Sequence, residues 1–287
     1  MIPGSFEYHR PDSLGEAVAI LAEHGDEARV LAGGHSLIPM MKLRLAVPSH
    51  LVDLQGIAGL AGIQQSGDSL EIGAMTSQAD LLASESVQRA CPILIEAAKQ
   101  IADPQVRYCG TVGGNVANGD PGNDMPGIMM CLDADYVLQG ASGERAVKAR
   151  GFYQAAYFTE MEDGEILTAV RIPLPAAGHG YAYEKQKRKI GDYATAAAAV
   201  VLSMSGGQCS AASIGLTNVA DTPLYAEAAA QALLGTSCDS AAIDAAAAAA
   251  EGITSPASDG RGSPEFRTKV AGVMVRRAVQ RALARAS

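Results

Sequence analysis

AGGHS at residues 32–36 and TVGGN at residues 111–115 each set two adjacent glycines beside small polar residues. The first follows ARVL, a short β-like run, and precedes LIPMMKLRL, which reads as a helix if Pro39 falls in its first turn. A glycine pair at such a junction offers backbone N–H groups without Cβ obstruction, a hydroxyl at Ser36 and the positive end of the following helix. TVGGN offers the same kit through Thr111, Gly113, Gly114 and Asn115, and is likewise expected to leave a strand. Together the two loops carry enough neutral donors for a diphosphate without a lysine. The alternative is two tight turns that need positive φ, and the residues alone leave both readings open.

Working outward, Ser13-Leu-Gly-Glu16 matches a capping box, and Leu14, Ala17, Val18 and Leu21 follow at helical spacing, so a helix is expected over 13–24 with Gly25 as its stop. LVDL at 51–54 and the alternating stretch 60–76, turned at Ser66-Gly67-Asp68, read as strands. Helices are expected over 77–84 and 86–101. Residues 103–127, dense in Gly, Asn, Asp and Pro, show no period of either kind and read as a long functional loop. A short helix, a hairpin over 134–149 and a strand over 164–175 follow.

Pro173 to Gly180 marks a boundary. Beyond it come strands over 180–188, 194–204 and 208–219, then helices over 223–234, 239–250 and 264–286, the last opened by Ser263-Pro264. The expected division is 1–54, 55–177 and 178–287. In the last helix Arg277, Arg281 and Arg285 share one face, either as solvated surface or as a docking stripe.

Length and charge narrow the function. A chain of 287 residues holds about two domains, and a net charge of −9 argues against nucleic acid, which needs a basic surface. The start MIPGSFEYHRPD lacks the plan of a secretory signal, and the longest apolar stretch, Ala194 to Leu202, is too short to span a bilayer, so a cytoplasmic protein is expected. Five cysteines without CxxC spacing read as reduced thiols rather than disulfides or metal ligands.

No GxGxxG follows a strand and no GxxxxGK(S/T) occurs, so neither a doubly wound dinucleotide fold nor a P-loop is supported. His9, His24, His35, His50 and His179 form no HxxxH, Asp120 and Asp124 have no histidine nearby in sequence, and Ser36 lacks a GxSxG setting. No metal site and no catalytic side chain are therefore expected, and any reactive group is a bound cofactor.

AGGHSLIPMMKLR taken with GTVGGNVANGDPGNDMP resembles the flavin-binding medium subunits of the molybdenum hydroxylases, and FEYHRP at 6–11 and YEKQKRKIGDYA at 183–194 extend the likeness along the whole chain. Within that family the carbon monoxide dehydrogenase branch is the most similar. The resemblance implies an α+β, vanillyl-alcohol-oxidase/PCMH-type FAD-binding fold of two subdomains plus a C-terminal α+β domain built on a small antiparallel sheet. It implies FAD contacts from Ala32, Gly33, Gly34, His35 and Ser36, and from Thr111, Val112, Gly113, Gly114 and Asn115. Asp124 and Lys185 are expected near the cofactor, and Tyr193 either beside the flavin ring or in the core.

The role so implied is electron exit. A large subunit with a molybdopterin cofactor oxidises substrate, two 2Fe–2S clusters in a small subunit relay electrons, and FAD passes them to a quinone-type acceptor. Five scattered thiols cannot supply four ligands to each of two clusters, which agrees with their lying in a partner. The implied assembly is a dimer of heterotrimers, cytoplasmic and docked at the inner face of the membrane. The competing readings are a relative acting on an aldehyde or N-heterocycle, a scaffold subunit without flavin, and a stand-alone flavoprotein oxidase, for which no base or covalent flavin link is evident.

Overall fold

The structure is a computed structural model that describes residues 2–287. Strands Glu7–His9, His50–Asp53 and Ala28–Leu31 form a parallel sheet in that spatial order. Helix Leu14–His24 covers it, burying Ala17, Val18 and Leu21 with Val52 and Leu54. Its start is the expected one: the Ser13 hydroxyl accepts from Glu16 N, while the Glu16 carboxylate accepts from Asp12 N at 3.1 Å. Gly25, at φ +50°, stops it.

A second, antiparallel sheet runs in the order Ile63–Ser66, Ser69–Gly73, Ile166–Pro173, Asp135–Gly140, Gly143–Lys148. Its inner face buries Leu70, Ile72, Leu138 and Val170 against helices Pro92–Ala98 and Asp124–Cys131. The expected helix over 86–101 is broken in two. Glu85–Ala90 ends at Cys91, because Pro92 has no N–H to continue the ladder and instead begins the next helix.

The expected loop over 103–127 is mostly helical: Pro104–Cys109, Val112–Ala117 and the first turn of Asp124–Cys131. Helices of six residues are too short to display a period, and they persist through caps and packing rather than propensity. Asp103 Oδ1 accepts from Val106 N at 3.0 Å, and Thr111 Oγ1 accepts from Gly114 N at 3.0 Å. The second glycine pair therefore follows a helix, not a strand, and lies in the first turn of another.

The third sheet is antiparallel, Gly180–Gln186, Ala196–Ser205, Gln208–Thr217, Leu224–Tyr225. The helix expected over 223–234 is a two-residue edge strand followed by helix Glu227–Gln231. Successive strand residues face opposite sides, so Ala196, Ala198 and Val200 join helices Ser240–Gly252 and Pro264–Leu283, while Ala197 and Ala199 join the core of the second sheet. Helix Asp124–Cys131 thus sits between two sheets. The fit is close enough that a Cβ on Gly215 would stand 2.0 Å from Gly127 O, and one on Gly127 2.4 Å from Thr217 Oγ1.

The arginine stripe strengthens this junction. Arg281 bonds Glu96 and Glu184, and Arg285 donates to Glu96 at 3.1 and 3.2 Å and to Tyr181 O at 2.7 Å. Two of its three arginines therefore clamp the last helix to helix Pro92–Ala98 and strand Gly180–Gln186, rather than forming a free surface. Among the described residues no helix is long and apolar enough to cross a membrane.

Candidate functional site

Both glycine motifs open onto one cavity of about 720 Å³, which continues past Asn118 and Asp124 to Lys185 and Gly191–Tyr193. Segments attached to each of the three larger sheets contribute to its wall. A space of this size, with few polar groups converging on it, is typical of a small-molecule or cofactor site.

The first motif leaves strand Ala28–Leu31 and enters helix Leu37–Lys42, with Pro39 in the first turn as expected. Gly34 has φ +71°, a region that disfavours any side chain. Gly33 is required by contact instead: a Cβ there would stand 2.2 Å from Cys109 O and 2.9 Å from Gly110 Cα. The N–H groups of Gly33, Gly34, His35 and Ser36 find no acceptor among the described residues, and the Ser36 hydroxyl makes no cap bond. The His35 side chain is exposed.

TVGGN contributes differently. Four of its five amides are already used: Val112 N donates to Thr76 O, Gly113 N to Ala74 O, Gly114 N to Thr111 Oγ1 and Asn115 N to Thr111 O. Val112 and Gly113 are buried behind the wall and do not line the cavity. A Cβ on Gly113 would stand 2.4 Å from Ala74 Cβ, which explains that glycine without a ligand. Thr111, Gly114 and Asn115 do line it. Asn115 Oδ1 accepts from Met125 N at 3.2 Å, tying this helix to the start of the next.

The two motifs also lie against each other. Gly33 rests on Cys109-Gly110, and a Cβ on Gly114 would approach Ala32 Cβ at 3.7 Å. They form one wall rather than two opposed hands. The sequence predicted a matched pair of donor loops, whereas the structure gives the free amides to the first and the smooth, closely approached surface to the second.

Asp124 and Lys185 meet, although 61 residues apart: Lys185 Nζ donates to Asp124 Oδ2 at 2.8 Å, with the two side chains 1% and 6% exposed. The Tyr183 hydroxyl donates to the other carboxylate oxygen. Burial, and then the Asp124 charge, push the Tyr183 hydroxyl well above its ordinary value, so it remains a donor. Lys187 is shifted down, by burial first and by the neighbouring Lys185 charge second.

Tyr193 is 42% exposed, so it is not a core tyrosine. Its hydroxyl donates to Asp120 Oδ2 at 3.1 Å and its ring lies over Gly122, where a Cβ would stand 3.1 Å from Cδ1. Burial by its surroundings and the Asp120 charge raise its pKa. Tyr157, at φ +64°, lines the same part of the cavity.

Two cavity residues carried no signal in the sequence. Gln78 Oε1 and Asn118 Nδ2 are buried without a hydrogen-bond partner. Buried polar atoms rarely stay unpaired, so each marks a place for a ligand atom or water. Four free amides, the Ser36 hydroxyl, Asn118 Nδ2 and a left-handed glycine fit an elongated anionic cofactor such as FAD. Of the five histidines only His35 lines this cavity.

Residues 4–175 match the FAD binding domain in molybdopterin dehydrogenase, and residues 181–282 match the CO dehydrogenase flavoprotein C-terminal domain. The chain is 64% identical to the carbon monoxide dehydrogenase medium chain of Afipia carboxidovorans, covering 100% of this chain and 99% of that one. It superposes on a chain of the reconstituted CO dehydrogenase from Oligotropha carboxidovorans with a TM-score of 0.99 and 64% identity, each covered completely. A chain of quinoline 2-oxidoreductase from Pseudomonas putida 86 gives 0.94 and 37% over 99% of each. The chain therefore belongs to the family of FAD-binding medium subunits of the molybdopterin dehydrogenases.

Proposed function

We propose that this chain is the electron-exit subunit of a carbon monoxide dehydrogenase, in which a partner large molybdenum subunit converts carbon monoxide and water to carbon dioxide. When bound, FAD supplies the chemistry by accepting electrons relayed from the partner small subunit's two 2Fe–2S clusters and giving them up to a quinone-type acceptor. The observation that carries the reading is the single cavity that joins both glycine motifs to the third sheet, with its unpaired amides at residues 33–36.

In this reading Ala32, Gly33, Gly34, His35 and Ser36 grip the diphosphate through backbone N–H groups and the Ser36 hydroxyl. Thr111, Gly114 and Asn115 form the adjoining part of the same wall, with a hydroxyl hydrogen and a side-chain amide still uncommitted, while Val112 and Gly113 fix that helix in place. Asp124 and Lys185 bring a fixed pair of opposite charges to the cavity wall, and Tyr193 closes the far end. These residues bind, orient and exclude water; none needs to move a proton. The units are 1–54, 55–177 and 178–287, and the working assembly is a cytoplasmic dimer of heterotrimers that meets its acceptor at the inner face of the membrane.

The 64% identity favours carbon monoxide over an aldehyde or N-heterocycle as the partner's substrate. The test is the absorbance spectrum of the purified complex before and after anaerobic carbon monoxide. Flavin bands that bleach with carbon monoxide are expected. Bleaching by quinoline or an aldehyde alone moves the complex to another branch, and absence of flavin bands overturns the reading.

A further inference from the structure

Three of the chain's five histidines, at sequence separations of 15 and 26 residues, converge at one edge of the first sheet. Parallel pairing sets Glu7 opposite His50 and His9 opposite Val52, so Glu7, His9 and His50 project from the same face. Helix Leu14–His24 packs on that face and delivers His24 from its last turn. His9 Nε2 lies 3.0 Å from His50 Nδ1, and the His24 and His50 rings stack with centroids 3.7 Å apart. One ring nitrogen from each histidine falls within 4.8 Å of the other two.

We propose that His9, His24 and His50 form a binding site for one divalent transition-metal ion of the imidazole-preferring kind, with Zn²⁺ as the reference. A tetrahedral ion bonded at about 2.05 Å holds its nitrogen ligands about 3.4 Å apart, so the His9–His50 pair needs to open by only a few tenths of an ångström. The ion takes the place of the hydrogen between those two nitrogens: the ring that now donates changes tautomer, its proton passing through solvent to its other nitrogen, so both rings ligate as neutral imidazoles with their N–H on the far nitrogen. The His24 ring is parallel to His50 within 8° and must turn out of the stack to aim its lone pair at the same point. All three side chains are only partly buried, so both the rotation and the entry of an ion are open.

The surroundings favour positive charge. His24 ends a helix, where the carbonyl dipoles favour a cation, and the Glu7 carboxylate stands 3.8 Å from His50 Nδ1, within reach of the fourth position. Imidazole-rich sets suit Zn²⁺, Cu²⁺ and Ni²⁺ rather than Mg²⁺ or Ca²⁺. None of the three histidines lines the large cavity, so this site is separate from the flavin reading and stands or falls without it.

The test uses the full chain stripped with a chelator, equilibrated with Zn²⁺ and analysed for bound metal, with Co²⁺ difference spectra as a geometric readout. One Zn²⁺ per chain and the visible bands of tetrahedral Co²⁺ are expected. His24→Phe, which keeps a flat ring on His50, and His9→Asn, which keeps a polar partner for it, should each weaken Zn²⁺ binding at least tenfold while FAD content stays at the wild-type level. Substoichiometric Zn²⁺ in the wild-type chain, or undiminished binding in both variants, overturns the proposal.

Discussion

Gly33→Ala tests whether the two glycine motifs act as one wall. The added methyl would lie 2.2 Å from Cys109 O, 2.8 Å from Cys109 C and 2.9 Å from Gly110 Cα. Comfortable contacts of this kind need about 3.3–3.5 Å, so the two segments must part by about 1 Å. Neither yields easily: Gly110 N donates to Val106 O at 2.7 Å and Gly110 O accepts from Gln78 N at 2.9 Å, holding the Cys109-Gly110 link between two capped helices. Overpacking of this kind costs about 1–3 kcal/mol. If the strain is released by displacing residues 32–36, the same energy appears as a roughly 5- to 150-fold weaker hold on FAD.

The assay is fluorescence titration of the stripped chain with FAD, beside thermal melting. Gly15→Ala is the control, because a Cβ there meets nothing within 4 Å in helix Leu14–His24; it should stabilise by roughly 0.5–1 kcal/mol and leave FAD affinity alone. An unchanged dissociation constant and melting temperature for Gly33→Ala would refute the shared-wall argument. So would a large loss of stability with normal FAD affinity, since the glycine would then serve packing alone.

Asp124→Asn leaves Lys185 buried without its counter-charge and should destabilise by about 3–5 kcal/mol in urea unfolding; adding Lys185→Met should recover part of that, and simple additivity would show the pair is not coupled. Burial alone would raise the Glu96 carboxyl, but Arg285, the Tyr183 N–H and Arg281 outweigh it and hold it below the usual carboxylate range. Because its folded value lies below its unfolded one, its stabilisation is present above about pH 4.3 and is lost as pH falls through the folded value. Wild type should accordingly exceed Glu96→Gln in urea midpoint near neutrality and converge with it in acid; a constant gap would count against the clamp. Burial pushes the Cys91 thiol up to about 12 and those of Cys131 and Cys209 up to about 11, Cys238 is buried, and Cys109 alone is exposed. A chromogenic thiol reagent should therefore find one cysteine in the native chain and five after unfolding, and two or more fast native thiols would contradict the packing.

What the sequence made legible was local. The capped helix beginning at Leu14, the hairpin turned at Gly67 and the last helix behind Ser263-Pro264 each announce their start or their turn in a few neighbouring residues. Residues 103–127 concealed their structure because helices of six residues spend most of their length on ends, and their evidence is a cap at Asp103 or Thr111 rather than a stripe. Gln78, Asn118 and the three convergent histidines were invisible for another reason. Their meaning lies in a partner, or an unpaired atom, that only the assembled sheets create.

The glycines show why motif and mechanism need separate arguments. Gly34 answers to backbone conformation, Gly33 and Gly113 to neighbouring backbone and methyl groups, and Gly114 to the Thr111 hydroxyl, at 2.8 Å from where its Cβ would be. The amides of 33–36 remain to meet an anion. Since the cavity wall is drawn from segments attached to all three larger sheets, its shape depends also on contacts outside either motif: Gly215 on Gly127, Asp124 on Lys185, and Glu96 between Arg281 and Arg285. A substitution that forces the third sheet away from helix Asp124–Cys131, such as Gly215→Ala with its Cβ 2.0 Å from Gly127 O, is expected to displace Lys185 and Tyr193 together with their side of the cavity. Loss of FAD from that variant, with every residue of AGGHS and TVGGN intact, is the outcome this dependence requires.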